Sequence, residues 1–284
     1  MEPSLTHLDL KSADLYSLVL ASQGMAVEVE IQEDYFNLVV AEELQGEALG
    51  IIELFLWENL APTVSFRKVV PQKVSGPFCA ALVLLFIHLG VSIMGKEREL
   101  TLEYGSSALY ILQGEFYRVA TALFLHADLE HLLGNIVGLL IFGIPVCTRT
   151  GTWPGLLMLL IAGMAGNLST AYLYRTAHLS IGASTSVMGA AGILTFFQVA
   201  DRAQSWGRDF KVLLPLGAGA ALLGMLSSGE NTDIMAHFMG FISGMLLGAF
   251  VSHFQGMREF SMVQTLMASF LLFLILGLSF FKGL

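Results

Sequence analysis

Charged residues are scarce in this chain. They make up 13% of its 284 residues, against about 25% in an ordinary soluble domain. Hydrophobic residues reach 55%, and the mean hydropathy is +0.70. So few charges cannot cover the surface of a soluble protein of this size, which excludes the soluble globular class. The composition indicates a protein with several membrane-spanning segments.

Cysteine is also rare, and other signals are missing. Cys79 and Cys147 are the two cysteines, and both fall in apolar runs, so we expect no disulfide framework. The chain has no basic patch suited to nucleic acid, and we expect no nucleic-acid partner. The first 30 residues are acidic and lack an apolar stretch, so we expect no cleavable signal peptide. Membrane insertion then relies on later segments.

The negative charge is concentrated in one part of the chain. Residues 1–66 hold one lysine and 12 acidic residues, a net charge of −11, whereas residues 67–284 have a net charge of +2. This division predicts a small, acidic, soluble domain at 1–66, a linker at 67–76 and a membrane body after it. The domain contains no motif that indicates chemistry. A regulatory role, a role in binding an unknown partner and a purely structural one all stay open.

Helices and strands are predicted to alternate within the first 66 residues, as in an α+β domain. We expect a helix from Ser12, its N-terminal cap, to Ser22. Three apolar residues alternate with polar ones, as in a half-buried strand: Val27, Val29 and Ile31. The other expected elements are a strand at 35–41, an amphipathic helix at 44–60 and a third strand at 63–70.

Seven apolar stretches follow, each near the roughly 20 residues that cross a bilayer. They lie at about residues 77–94, 129–148, 154–174, 183–200, 212–227, 234–254 and 262–281. The predicted fold of this part is an all-α polytopic membrane bundle. The segment 95–128 is too long and too patterned to be a simple connector.

The placement of lysine and arginine predicts the orientation of the bundle, because basic residues favour the cytoplasmic side. If the N-terminus is cytoplasmic, eight flanking basic residues lie inside and five lie outside. We therefore expect a multi-pass protein of the plasma (inner) membrane with a cytoplasmic N-terminus.

Polar side chains within the predicted spans are the candidates for function, because a polar group in the bilayer is costly. His131 and Asn135 are four residues apart, so they project from one helix face and can donate hydrogen bonds to one point. Ser184 is of the nucleophile type, and His237 is of the type that acts as its general base. Each of them alone is more often a packing residue, and only their combination points to chemistry.

Small residues indicate how Ser184 and His237 could meet. The sixth predicted span carries a small residue at every fourth position: Ala236, Gly240, Gly244 and Gly248. Such a stripe lets two helix backbones approach closely. Close packing of the fourth and sixth spans would bring His237 towards Ser184.

The order and spacing of these residues resemble the rhomboid intramembrane serine proteases. The matching segments are Tyr117-Arg118-x-x-Thr121-x-x-Phe124-x-His126-x4-His131-x3-Asn135, then Gly182-Ala183-Ser184, then Ala236-His237-x-x-Gly240-x3-Gly244. The resemblance covers about residues 77–254, the six-span core of the family. Residues 255–284 resemble the additional C-terminal helix of some members, and the N-terminal domain lies outside the resemblance.

The resemblance implies a serine endopeptidase that cleaves single-span membrane proteins within the lipid bilayer, near its outer face, with no cofactor and no metal. It implies that Ser184 is the nucleophile and His237 the general base and acid, and that the oxyanion hole is formed by His131 and Asn135. The residues implied to be structural near the site are Arg118, His126, Gly182, Gly240 and Gly244.

Three positions depart from the family pattern, of which Tyr117, standing where tryptophan usually precedes the arginine, is a mild change. Thr185 follows the serine where rhomboids usually have glycine, and Met188 stands where an aromatic residue commonly contacts the histidine. A β-branched residue restricts the backbone where glycine would leave it free. The alternative hypothesis is therefore a catalytically silent rhomboid-like protein that binds membrane helices for trafficking or quality control. The complete set of Ser, His, His and Asn favours the protease.

Overall fold

The computed structural model describes residues 5–32, 34–59, 72–206, 210–226, 232–255 and 260–281. The chain divides into two compact units, Met1–Val70 and Pro71–Leu284. The first unit mixes helices with a small sheet, and the second is largely helical. This confirms the predicted class, a helical membrane bundle with a small N-terminal α+β part.

The N-terminal unit contains α1 (Leu10–Ser22), β1 (Glu28–Ile31), β2 (Phe36–Val39), a short 3-10 turn (Glu42–Leu44) and α2 (Gln45–Asn59). The two strands are antiparallel, with Glu28 opposite Val39 and Ile31 opposite Phe36. Leu20 of α1 and Ile52 of α2 are fully buried in one apolar core. The unit therefore has a hydrophobic core of its own.

Two details of this unit differ from the prediction. The first helix starts at Leu10 because the carboxylate of Asp9, and not Ser12, caps it, accepting from the backbone nitrogen of Ser12 at 2.7 Å. The strand at Val29 and Ile31 forms, but these side chains are 45% and 73% exposed, since the core is built on the other strand. The expected third strand at 63–70 lies outside the described residues.

Among the described residues, the second unit contains eleven α-helices and two short strands. They are α3 (Ser75–Met94), α4 (Glu97–Tyr104), β3 (Ser106–Ser107), α5 (Ala108–Leu112), α6 (Arg118–Thr121), α7 (Leu129–Gly138), α8 (Ile144–Thr150), α9 (Thr152–Tyr174), β4 (Leu179–Ser180), α10 (Ser184–Trp206), α11 (Leu214–Leu226), α12 (Ile234–Gln255) and α13 (Met262–Phe281). The segment at 95–128 is thus folded into several short elements, as its length and patterning predict.

Five helical segments among the described residues are long and apolar enough to cross a membrane: Ser75–Met94, Leu129–Thr150, Thr152–Tyr174, Ile234–Phe254 and Met262–Phe281. They confirm five of the seven predicted spans. The other two segments are also helical. Of these, α10 has 23 residues but carries polar residues at both ends, and α11 has 13 residues. A 3-10 turn, Phe210–Leu213, leads directly into α11, and the described residues after it end at Leu226.

A π turn at Leu139–Gly143 joins α7 to α8 within one helical segment. Pro145 lies in the first turn of α8. Proline has no N–H group to donate to the carbonyl one turn earlier, and a π turn is a common way for a helix to absorb such a missing bond. The second predicted span is therefore a single helix with a local distortion.

The contact between α10 and α12 forms the centre of the bundle. Three glycines of α12 lie so close to α10 that a Cβ atom on any of them would meet its backbone. The facing pairs are Gly240 with Thr185, Gly244 with Gly189 and Gly248 with Ile193. A step of four residues on one helix matches a step of four on the other, so the helices run parallel. This is the close approach that the four-residue spacing predicts.

We predict that Gly244→Ala destabilises the bundle, because the added methyl group collides with the carbonyl of Gly189. The expected loss is about 1–3 kcal/mol of unfolding free energy, as for other overpacked sites. Gly224→Ala in α11 is the matched control, since nothing lies within 4 Å of its Cβ position, and it should stabilise the helix by up to about 1 kcal/mol. Thermal unfolding in detergent measures the stability of both variants. Equal shifts of the unfolding temperature in the two variants would contradict the contact assigned to Gly244.

Candidate active site

The loop between α3 and α7 is organised around Arg118. This side chain is buried, and its Nε donates to Glu115 Oε2 at 2.6 Å. Its Nη1 donates to the carbonyl of Leu102 at 2.8 Å. The hydrogen bond from Arg118 holds the pKa of Glu115 below its ordinary value. Arg118 therefore ties together two parts of the loop.

The same loop holds the chain that leads into α10. Strand β3 pairs with β4, with Ser106 opposite Ser180. The backbone nitrogen of Ala108 donates to the carbonyl of His178 at 2.9 Å, and that of Gly182 donates to the carbonyl of Ala122 at 2.9 Å. These bonds fix the segment immediately before Ser184.

Gly182 forms the turn that precedes Ser184, and its φ angle is +119°. A side chain is strained in that conformation, whereas glycine adopts it freely. Space is also limiting, because a Cβ atom here would lie 2.6 Å from His131 Nε2 and 3.5 Å from Asn135 Nδ2. The two side chains on α7 therefore converge on the turn beside Ser184.

The start of α7 is fixed by a cap and by packing. Asp128 accepts a hydrogen bond from the backbone nitrogen of His131 at 2.7 Å, which caps the helix. Asn135 is buried, and its Nδ2 donates to the carbonyl of His131 at 2.9 Å. An amide nitrogen carries two hydrogens, so the second can serve another acceptor. Gly138 lies against Val187 of α10, which places this face of α7 on α10.

His237 lies in the first turn of α12 and is buried. Asp233 precedes it by one turn, and its Oδ1 caps the helix by accepting from the nitrogen of Ala236 at 3.0 Å. Its Oδ2 lies 2.7 Å from His178 Nε2, and the ring of His178 stacks on Tyr174 at 4.0 Å between centroids. The start of α12 is thus held to the loop that precedes α10.

Sequence reasoning missed the contact between Asp233 and His178. These two residues are 55 positions apart, and no local pattern connects them.

Ser184 and His237 lie at the same end of the α10–α12 pair. Ser184 directly precedes Thr185, and His237 is three residues before Gly240. Because Thr185 contacts Gly240 and the helices run parallel, both residues are within one helical turn of that contact. Ser184 is partly exposed, whereas His237 is covered.

His126 also supports the turn at Gly182. The backbone nitrogen of Ala183 donates to His126 Nε2 at 3.4 Å. The rings of His126 and His131 meet edge to face with their centroids 5.2 Å apart. His126 is buried, so it is placed to hold Ala183 and the ring of His131.

Thr185 is accommodated by the helices around it. It is 2% exposed. A Cβ atom added to Gly166 of α9 would lie only 2.6 Å from its Cγ2, and one added to Gly240 of α12 would lie 3.0 Å from it. The methyl group therefore fills the space that two glycines leave open. Met188 packs with Phe241 in a separate apolar cluster.

Comparison with known proteins adds independent information. Residues 113–254, half of the chain, match the family model of the Rhomboid domain. YdcA of Bacillus subtilis (strain 168) is 29% identical over 168 residues, which are 59% of this chain and 81% of YdcA. The rhomboid protease GluP of the same organism is 26% identical over 224 residues, 77% of this chain and 40% of GluP. Rhomboid-like protease 3 of Toxoplasma gondii is 31% identical over 157 residues, 54% of this chain and 58% of that protein.

The chain spans most of YdcA but less than two thirds of GluP and of the Toxoplasma protein. The matched residues 113–254 contain each of the candidate site residues from Arg118 to His237. With five helices able to cross a membrane, this is an integral, multi-pass membrane protein. It belongs to the rhomboid family, which includes intramembrane proteases.

Proposed function

We propose that this protein is an intramembrane serine endopeptidase in which Ser184 and His237 form the catalytic dyad. The observation that carries the proposal is the parallel packing of α10 on α12. Through the contact of Gly240 with Thr185, it sets both residues in the first turns of neighbouring helices. A serine becomes nucleophilic when an adjacent base accepts its proton.

In the proposed reaction, Ser184 Oγ attacks the carbonyl of the scissile peptide while the imidazole of His237 takes the hydroxyl proton. His237 then gives this proton to the leaving amine, and water releases the acyl group in a second cycle. Asp233 is engaged by the helix cap and by His178, so we assign it to positioning and not to a third catalytic member. The dyad differs in this respect from the Ser-His-Asp triad.

We assign the oxyanion hole to His131, Asn135 and the backbone nitrogen of Ser184. The proximity of both side chains to Gly182 supports this assignment, because the turn at Gly182 leads directly to the nucleophile. Hydrogen-bond donors fixed in a water-poor site stabilise the developing negative charge of the tetrahedral intermediate without reorganising. The buried Arg118 and His126 hold the surrounding loop and act through it.

The proposed substrates are single-span membrane proteins, cut near the outer membrane face. Hydrolysis requires water, and polar groups at membrane depth are tolerated where they line a cavity open to one face. The site lies at the ends of α7, α10 and α12, which suits such a position. From the bias of lysine and arginine, we propose the plasma membrane, with the N-terminus in the cytoplasm.

The alternative function is a silent rhomboid-like protein that binds membrane helices. Thr185 is the observation in its favour, because a fully packed, β-branched residue next to the nucleophile stiffens the turn. The fit of its methyl group against Gly166 and Gly240 argues that the helices are adapted to it. We therefore favour the protease.

We predict that purified wild-type protein in detergent reacts with a fluorescent fluorophosphonate and that Ser184→Ala abolishes the labelling. His237→Ala should abolish it as well, because the serine then has no base. Cleavage of a single-span reporter protein should be lost in both variants, with unchanged thermal unfolding.

Ser186→Ala serves as the matched control for this experiment. Ser186 is a buried serine that lies against Gly163 of α9, and its loss should leave labelling intact. Proteolysis that persists in Ser184→Ala would contradict the proposed mechanism. Folded wild-type protein that is never labelled would favour the helix-binding alternative.

We predict that Asn135→Ala slows cleavage without eliminating it, because one of several oxyanion donors is lost. The expected decrease in kcat is up to about 10²-fold, with little change in KM. Steady-state kinetics on the reporter protein measure both constants. An unchanged kcat would remove Asn135 from the proposed oxyanion hole.

We predict that deletion of residues 1–66 leaves basal proteolysis intact. The N-terminal unit has its own buried core around Leu20 and Ile52, and each side chain placed in the site above belongs to the second unit. The truncated protein is first checked for folding by thermal unfolding and then assayed. A truncated protein that is folded but inactive would make this unit part of the enzyme.

A further inference from the structure

Two adjoining cavities of the second unit are lined by none of the proposed catalytic or oxyanion-hole residues, although one of them reaches Ala183 beside Ser184. The first has a volume of about 230 Å³ and is lined by Lys73, residues 149–153, Phe260 and Thr265. The second has a volume of about 380 Å³ and extends between α3, α9 and α13. Thr152 and Trp153 line both cavities, so the second continues from the first.

The first cavity carries positive charge. Arg149 makes a bidentate contact with Asp201, at 2.6 and 2.8 Å, so this pair is neutral overall. Lys73 has no ion pair with another residue in the part of the chain that the structure describes. Its backbone nitrogen donates to Thr148 Oγ1 at 3.0 Å, which holds it beside α8. Lys73 therefore gives this cavity one positive charge that no acidic side chain among the described residues pairs with.

The second cavity is almost entirely apolar. Its walls include Val83 and Leu84 of α3, Leu156 and Leu160 of α9, and Leu272 and Leu276 of α13. From Ser75 to Leu84 it follows α3 over nine residues, roughly 13 Å at 1.5 Å per residue. Val83 is 47% exposed, so the cavity opens on the surface that faces the bilayer. Its far end reaches Ala183 and Ser186.

We infer that the two cavities together bind one anionic phospholipid. The phosphodiester lies in the first cavity, where its single negative charge matches Lys73 and where Thr152 and Thr265 offer hydroxyl donors. One acyl chain lies in the second cavity between the three spans. This site is independent of the proposed protease function, although the acyl chain would contact residues adjoining Ser184.

Charge and shape together select this occupant. A zwitterionic lipid brings no net charge to Lys73, so it gains less from the first cavity. Inorganic phosphate carries the charge but has no group for the apolar cavity, where ions are strongly disfavoured. Only a molecule that joins a monovalent anionic group to a hydrocarbon chain gains binding energy from both cavities.

Cys79 offers a direct measure of occupancy. It is exposed and lines the second cavity, whereas Cys147 is buried. Alkylation of Cys79 by N-ethylmaleimide is followed by peptide mass spectrometry on the full-length protein in detergent micelles. Added phosphatidylglycerol should slow this alkylation several-fold more than phosphatidylcholine with the same acyl chains. Inorganic phosphate should leave the rate unchanged.

The variant Lys73→Gln separates the headgroup contribution from the acyl chain. It should weaken protection by phosphatidylglycerol about fivefold, the usual effect of one basic residue at an anionic membrane surface. Lys73 is exposed, so the change does not disturb the core. Lys96→Gln, at the opposite end of α3 and also exposed, is the matched control and should behave as the wild type.

Three outcomes would overturn the inference. Equal protection by the two lipids, or no protection by either, would exclude a site for an anionic lipid. Protection of Cys79 by inorganic phosphate would show that an anion without an acyl chain is enough to block this cavity. Unchanged protection in Lys73→Gln would remove the proposed headgroup contact.

Discussion

The close approach of α10 to α12 is the contact on which the site depends. Glycines at every fourth position of α12, from Gly240 to Gly248, face the backbone of α10 over about two turns, so the separation of the two helices is set by backbone atoms. A contact between backbones leaves little freedom to slide, because each added methyl group would collide. The first turns of both helices are consequently held in register, and these turns carry Ser184 and His237.

The loop between α3 and α7 acts as a second constraint on the same region. Its strand β3 pairs with β4, which precedes α10, and its backbone both donates hydrogen bonds to that segment and accepts them from it. The loop itself is held by the buried Arg118. The contact of His178 with Asp233 then links this segment to the start of α12. Three parts of the chain that are distant in sequence thus meet at one end of the bundle, where a polar cluster can be sheltered and still reach water.

Thr185 illustrates how packing can absorb a departure from a family pattern. From its neighbours in sequence alone, the residue is expected to restrict the backbone, since a β-branched side chain stands where the family usually has glycine. In the bundle, the facing positions are Gly166 and Gly240, and they leave the volume that its methyl group requires. A larger residue thus faces two glycines across the helix interface, so its methyl group is packed without overfilling the core.

The sequence by itself determined the membrane class, the helical segments and the candidate residues, because hydropathy, helical spacing and the pattern around Ser184 are local properties. It placed Gly240 and Gly244 on the contact face for the same reason. Only the tertiary structure decided that Asp233 meets His178 and that Lys73 adjoins an apolar cavity between three helices. Those features depend on residues dozens of positions apart, and their meeting is set by how the helices pack and not by any local pattern.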